Sequence, residues 1–146
     1  MKKFSLMLLT TVAFLAAPGS AQSLSPTKTY TEEWVYRVKL GHQDEWWQIF
    51  QRYQVPELDA LKKTGDVVSY SIYRANLHTD EAARWDYRII VIFKDFATVG
   101  ALIPREEQLL KTLFPDVAAR KAGEMRRWDL TLNHWDLPIV EVEPHG

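Results

Sequence analysis

The side chains best able to do chemistry in this 146-residue chain are four histidines, His42, His78, His134 and His145. None has a second histidine at metal-ligand spacing, and the chain has no cysteine. A protein-built zinc or copper site is therefore not expected, and thiolate nucleophiles, iron–sulfur clusters and cysteine-ligated zinc are excluded. His42 follows a turn glycine and His145 lies near the C-terminus, and neither is assigned a role. His78 sits in the polar stretch Leu77-His78-Thr79-Asp80, where it can act as acid, base or ligand at the mouth of a cavity. The alternative is that Thr79 or Asp80 caps the turn Glu81-Ala82-Ala83 and His78 only hydrogen-bonds the loop. His134 shares a strand side with Asp136, a pairing that orients an imidazole either for proton transfer or simply for packing. His78 and His134 are the two candidate catalytic residues.

Arg37, Arg74 and Arg88 form a second constellation, because three separate strands would carry their guanidinium groups onto one sheet face. Cations held under an interface need a carboxylate, a hydrogen-bonding partner or an anionic ligand. Asp129 is one available partner. The two readings are structural ion pairing and an anion-recognising pocket completed by Tyr70, Asn133 and Trp135. The candidate ligand-binding set is thus Arg37, Tyr70, Arg74, Arg88, Asp129, Asn133 and Trp135. No Ser-His-Asp order, phosphate loop or nucleotide motif is present.

Periodicity supplies the elements that must position these residues. From Glu33 to Leu40, Trp34, Tyr36, Val38 and Leu40 alternate with Arg37 and Lys39, which predicts a half-buried strand ended by Gly41. Gln43 to Lys63 repeats apolar residues every three or four positions, with Asp44 and Glu45 at its start and Lys62, Lys63 and Gly65 at its end. This is a helix, with Trp46, Phe50 and Tyr53 on its core face and a kink or division expected at Pro56. Val67 to Ala75 and Trp85 to Lys94 read as strands around the polar loop Asn76 to Ala83. A second helical region runs from Asp95-Phe96 through Phe114 with a break at Pro104, and a short helix spans Val117 to Arg127, weakened by Gly123. Asp129 to Leu137 alternates again as a final strand.

Strand, helix, strand, strand, helix, strand is the split βαβ order, an antiparallel α+β sheet with its helices on one face and the other uncovered. If Tyr36, Val38, Leu40, Leu130 and Leu132 face the helices, the open face carries Val35, Arg37, Lys39, Asp129, Thr131, Asn133 and Trp135. Tyr70, Ile72 and Arg74, with Arg88, Ile90 and Ile92, are expected beside them. An error of one residue in any strand exchanges its two sets.

The first twenty-one residues bear on compartment. Lys2 and Lys3 precede an apolar run from Phe4 to Ala17, then Pro18 and the small residues Gly19-Ser20-Ala21. This is the pattern of an export signal cleaved after Ala21 and, at fourteen residues, the run is shorter than the roughly 20 that span a bilayer. The expected organisation is a signal peptide over 1–21, a flexible lead over 22–31, one domain over 32–137 and a C-terminal tail over 138–146. The mature chain would carry a net charge of about −3, which suits neither nucleic acid nor an anionic membrane as partner. It would be periplasmic or secreted. It retains all six tryptophans, residues that dominate cores and interfaces.

The stretches VYRVKLGHQDEWWQIFQRY and IFKDFATV, with the element order, resemble the dimeric α/β-barrel superfamily. This ferredoxin-like group includes antibiotic-biosynthesis-type monooxygenases, EthD-like proteins and haem-handling relatives. The resemblance covers roughly Glu33 to Leu137. It implies a homodimer whose paired sheets enclose a small molecule, while a shared fold does not carry function across. The expected function is binding of a small aromatic or carboxylate-bearing molecule between the sheet and its partner. Its rivals are a cofactor-independent monooxygenase or isomerase using His78 or His134 for proton transfer, and a haem protein using one of them as axial ligand. Haem apart, no cofactor is expected.

Overall fold

The computed structural model describes residues 29–76 and 80–142. The expected signal segment, the lead up to position 28, His78 and His145 lie outside these described residues. The elements are β1 (Tyr30–Val38), α1 (Gln43–Thr64), β2 (Val67–Arg74), β3 (Tyr87–Phe93), α2 (Phe96–Leu113), α3 (Val117–Leu130) and β4 (Thr131–Ile139). The strands form one antiparallel sheet in the order β2-β3-β1-β4. This is the expected ferredoxin-like α+β arrangement.

Alternation does most of the work in the central strands. In β3, Tyr87, Ile89, Val91 and Phe93 are buried and face the helices, while Arg88, Ile90 and Ile92 between them are only partly covered. Tyr36 and Val38 of β1 join that core, as do Trp46, Phe50, Leu58 and Leu61 of α1. Trp46 stacks on Phe50 and on Tyr87, with ring centroids 5.1 and 4.7 Å away, and its indole N–H donates to Thr131 Oγ1 at 2.9 Å. That bond lets a polar-tipped ring sit fully buried without an orphaned donor.

Neither proline divides its helix. An interior proline removes one backbone hydrogen bond and costs about 3 kcal/mol, yet α1 runs unbroken through Pro56 and α2 through Pro104. In α1 the buried residues Trp46 and Phe50 lie before the proline, and Leu58 and Leu61 after it. Both halves are therefore held against the same sheet. Gly65, at φ 81°, ends α1 in the left-handed conformation, and Asp95 and Asp116 cap α2 and α3 by accepting from the backbone N–H of Thr98 and Ala119. Gly123 has a packing reason: a Cβ there would overlap the Tyr53 ring, so the glycine lets α3 approach α1.

Several boundaries differ from expectation. β1 begins at Tyr30, β4 extends to Ile139, and α3 continues to Leu130, which places Asp129 on a helix instead of a strand. Leu40, expected in the core, is exposed because β1 ends at Val38.

Candidate functional site

The open face of the sheet is built from rows that cross all four strands. One row is Tyr73, Arg88, Val35 and Trp135, and the next is Ser71, Ile90, Glu33 and Leu137. Val35 is 1% exposed although it lies on this face, whereas Tyr73, Trp135 and Leu137 are exposed. Arg37 stands opposite Asn133. Arg88 Nη1 lies 3.4 Å from Glu33 Oε1, and its guanidinium carbon sits 4.5 Å from the Trp85 ring centroid. Arg37 pairs with Glu81, which also binds Arg84, and Arg84 in turn reaches Asp86 at 2.6 Å. The carboxylate partners are therefore Glu33 and Glu81, and Asp129 takes no part. Arg37 and Arg88 each keep a buried Nε without a hydrogen-bond partner among the described residues.

The structure brings Arg37, Arg88, Asn133 and Trp135 to this face but not Tyr70, Arg74 or Asp129. A bulge in β2 between Val67 and Ser69 inserts one residue into the pairing. One inserted residue exchanges the faces of everything beyond it, so Tyr70, Ile72 and Arg74 turn toward the helices. Tyr70 Oη donates to Asp59 on α1 at 2.7 Å, and burial pushes its hydroxyl up to about 12. Arg74 lies 3.3 Å from Asp44. A second bulge at the start of β4, where Arg37 pairs with Asn133 and Val38 with Thr131, moves Thr131 to the helix side. Beyond it the expected parity holds, so Asn133 and Trp135 face out while His134 and Asp136 face the helices.

A concavity lies on the helix side. α2 stands off the sheet and leaves a cleft between itself, α1, α3 and the β1–β4 edge. Its inner part, about 270 Å³, is walled by Leu58, Leu61, Phe93, Val99, Leu102 and Leu109. Its outer part, about 470 Å³, is lined by Tyr36, Arg120, Glu124, Arg127, Trp128 and His134, among others. Trp34, Gln54 and Glu57 line both parts.

Glu57 is 8% exposed, at the junction of the two. Burial, and then the charges of Glu106 and Glu124, push its carboxyl up to about 7, against the opposing effect of Arg127. Gln54 links the two groups: its Nε2 donates to Glu57 Oε2 at 2.6 Å, and its Oε1 accepts from Arg127 Nη2 at 3.3 Å. Arg127 is 6% exposed, with its guanidinium carbon 5.2 to 5.9 Å from the ring centroids of Trp128, Phe50, Trp46 and Tyr36. Aromatic faces stabilise such a cation without taking its N–H groups. Arg127 Nη1 is buried with no partner among the described residues. Arg120 ties α3 to α2, contacting Glu124 and Glu107 at 3.0 Å each.

His134 lines the outer part but is already engaged. Its ring stacks on Tyr36 at 4.1 Å, Nδ1 lies 3.1 Å from the Val35 carbonyl, and Nε2 lies 3.1 Å from Asp136 Oδ1. With both nitrogens against oxygen acceptors, it does not fit an axial haem ligand unless one of these contacts breaks. Among the described residues no group of three or more histidines and carboxylates is arranged to hold a metal ion. Glu57 and Arg127 were absent from the sequence-derived set. The available signal was a carboxylate seven residues after Phe50 and four before Leu61, inside a buried helical stripe.

No family model matches the sequence, and no curated protein matches it. Solved structures share the fold. A dimeric ferredoxin-like protein from an uncultured marine organism aligns over 81% of this chain and 93% of its own, with a TM-score of 0.54 at 4% identity. A NIPSNAP domain protein from Burkholderia xenovorans aligns over 80% and 98%, with a TM-score of 0.50 at 13% identity. A mutant of SnoaB, a cofactor-independent oxygenase from Streptomyces nogalater, aligns over 80% and 98%, with a TM-score of 0.43 at 12% identity. At these identities the likeness to the first two is one of fold, and it agrees with the resemblance read from the sequence. Among the described residues no helix is long and apolar enough to cross a membrane.

Proposed function

We propose that the protein is an exported homodimer that binds a small amphipathic molecule in the cleft beneath α2. The observation that carries this reading is the junction of an apolar and a polar cavity at Trp34, Gln54 and Glu57. A ligand with an apolar body and a polar head matches both at once. This moves the ligand from the sheet–partner space, where the sequence put it, to the helix side. The open face, with Tyr73, Trp135 and Leu137 exposed, is left for a second copy. The fold shared with a protein described as dimeric supports that assignment. Export rests on the pattern from Met1 to Ala21.

Calorimetric titration with two-ring naphthalene compounds tests the cleft. Leu102→Trp places an indole in the inner cavity and should abolish binding while the melting temperature is maintained; undiminished binding by this variant would place the ligand elsewhere. Sedimentation at micromolar concentration should give twice the mature mass. A second reading, a cofactor-independent monooxygenase or isomerase, is favoured by one observation. A carboxyl poised at about 7 is matched to proton transfer at neutral pH, so Glu57 takes the role first given to His78 or His134.

A further inference from the structure

The four aromatic rings around Arg127 hold its guanidinium in place without satisfying it. One N–H group of Nη2 reaches Gln54, and Nη1 is buried at the cleft wall with no partner among the described residues. A buried charged donor left unmade costs more than an average hydrogen bond contributes. The cleft's carboxylates do not supply the missing acceptor. Glu107 and Glu124 are held by Arg120, Glu32 accepts from the Trp34 indole at 2.9 Å, and Asp136 is paired with His134. Glu57 is bonded to the same Gln54, and Glu106, which also lines the cleft, makes no bond to Arg127.

We infer that the outer half of the cleft is a carboxylate-capture site, in which the ligand's head group is seated between Arg127 and Glu57 and its apolar body occupies the inner cavity. This rests on the cleft reading above and names the ligand class. A carboxylate accepts from Nη1 as a charge-assisted bond, and the Glu57 carboxyl, when protonated, donates to its second oxygen. Ionised Glu57 would instead repel the ligand. Besides Glu57 and Arg127, the charged and titratable groups around this part are Glu32 on β1, Glu106 and Glu107 on α2, Arg120 and Glu124 on α3, and His134 and Asp136 on β4. Five of these seven are carboxylates and Arg120 is already paired with two of them, so a proton on Glu57 favours entry of an anion. Capture is therefore coupled to proton uptake.

The test uses the mature full chain and three probes that share one apolar body: 2-naphthoate, uncharged 2-acetylnaphthalene and cationic 2-naphthylmethylamine. Titration calorimetry at pH 7.5 in buffers of different ionisation enthalpy reads the protons taken up. With Glu57 at about 7, naphthoate should bind tightest and take up about three-quarters of a proton per site. Glu57→Gln should lose the uptake and the pH dependence. Arg127→Lys keeps the charge but removes the free Nη1, and should weaken naphthoate about tenfold or more without weakening acetylnaphthalene. Circular dichroism confirms that each variant folds, and Glu57→Gln decides the case if Arg127→Lys does not. Acetylnaphthalene binding as tightly as naphthoate would overturn carboxylate capture and leave the cleft reading standing. Preferential binding of the amine, or naphthoate binding without proton uptake, would also overturn it. Binding of none of the three would overturn both readings.

Discussion

Replacing Glu57 by glutamine should change how stability depends on pH. In the unfolded chain this carboxyl titrates near its ordinary value of 4.5, whereas in the fold it is pushed up to about 7. Below pH 4.5 both states hold the proton and the group is neutral in effect. Between 4.5 and 7 the unfolded state releases the proton and the folded state retains it, so stability falls as pH rises; above 7 the loss is complete. At 1.36 kcal/mol per pH unit, the interval corresponds to about 3 kcal/mol. Glutamine keeps the shape and the bond to Gln54 but does not titrate. The variant should match the wild type near pH 4.5 and exceed it by about 3 kcal/mol at pH 8. Urea denaturation followed by tryptophan fluorescence, at one protein concentration and at pH 4.5, 6 and 8, measures the difference directly. A gap between the two proteins that stays constant across this range would refute the burial argument for Glu57.

Gly123→Ala should destabilise the fold by about 1 to 3 kcal/mol, because the added methyl meets the Tyr53 ring, and Tyr53→Leu should recover part of the loss. Denaturation of the single and double variants measures both. Arg88→Met keeps the apolar stem on the open face and removes the pair with Glu33; it should shift the dimer dissociation constant seen in sedimentation while leaving affinity for a cleft ligand within about twofold. If cleft affinity collapses while the dimer persists, the two faces have been assigned the wrong way round. Mass spectrometry of the exported protein should show loss of Met1 to Ala21, and an intact Met1 would remove the export assignment.

The fold was legible because β1, β3 and α1 place their apolar residues at periods only a strand or a helix satisfies. The faces of β2 and the start of β4 were not, since each contains a bulge. Nothing in Val67-Val68-Ser69 distinguishes a regular strand from one with an inserted residue. That single step displaced Tyr70 and Arg74 from the arginine face. Arg37 and Arg88 were placed correctly, but their partners Glu33 and Glu81 depend on pairing geometry rather than sequence distance. The cleft was invisible for a different reason. Glu57 and Arg127 are charged residues within helical stripes, and a stripe reads as core whether its neighbour lies against it or stands away from it.

That α2 stands off the sheet has a consequence for how the protein can change. Asp95 pins the first turn of α2 and Arg120 holds its outer edge through Glu107, while Val99, Leu102 and Leu109 pack at the margin of the core and line the inner part of the cleft. A substitution in a close-packed core is limited by its neighbours, and one methylene is felt. Larger or smaller side chains at these three positions, which are only partly buried, would redraw the chamber while the fully buried residues of β3 and α1 stay in place. Ligand size is thus set by a few residues on one helix, and it can drift at a smaller cost in stability than a change at the centre of the core.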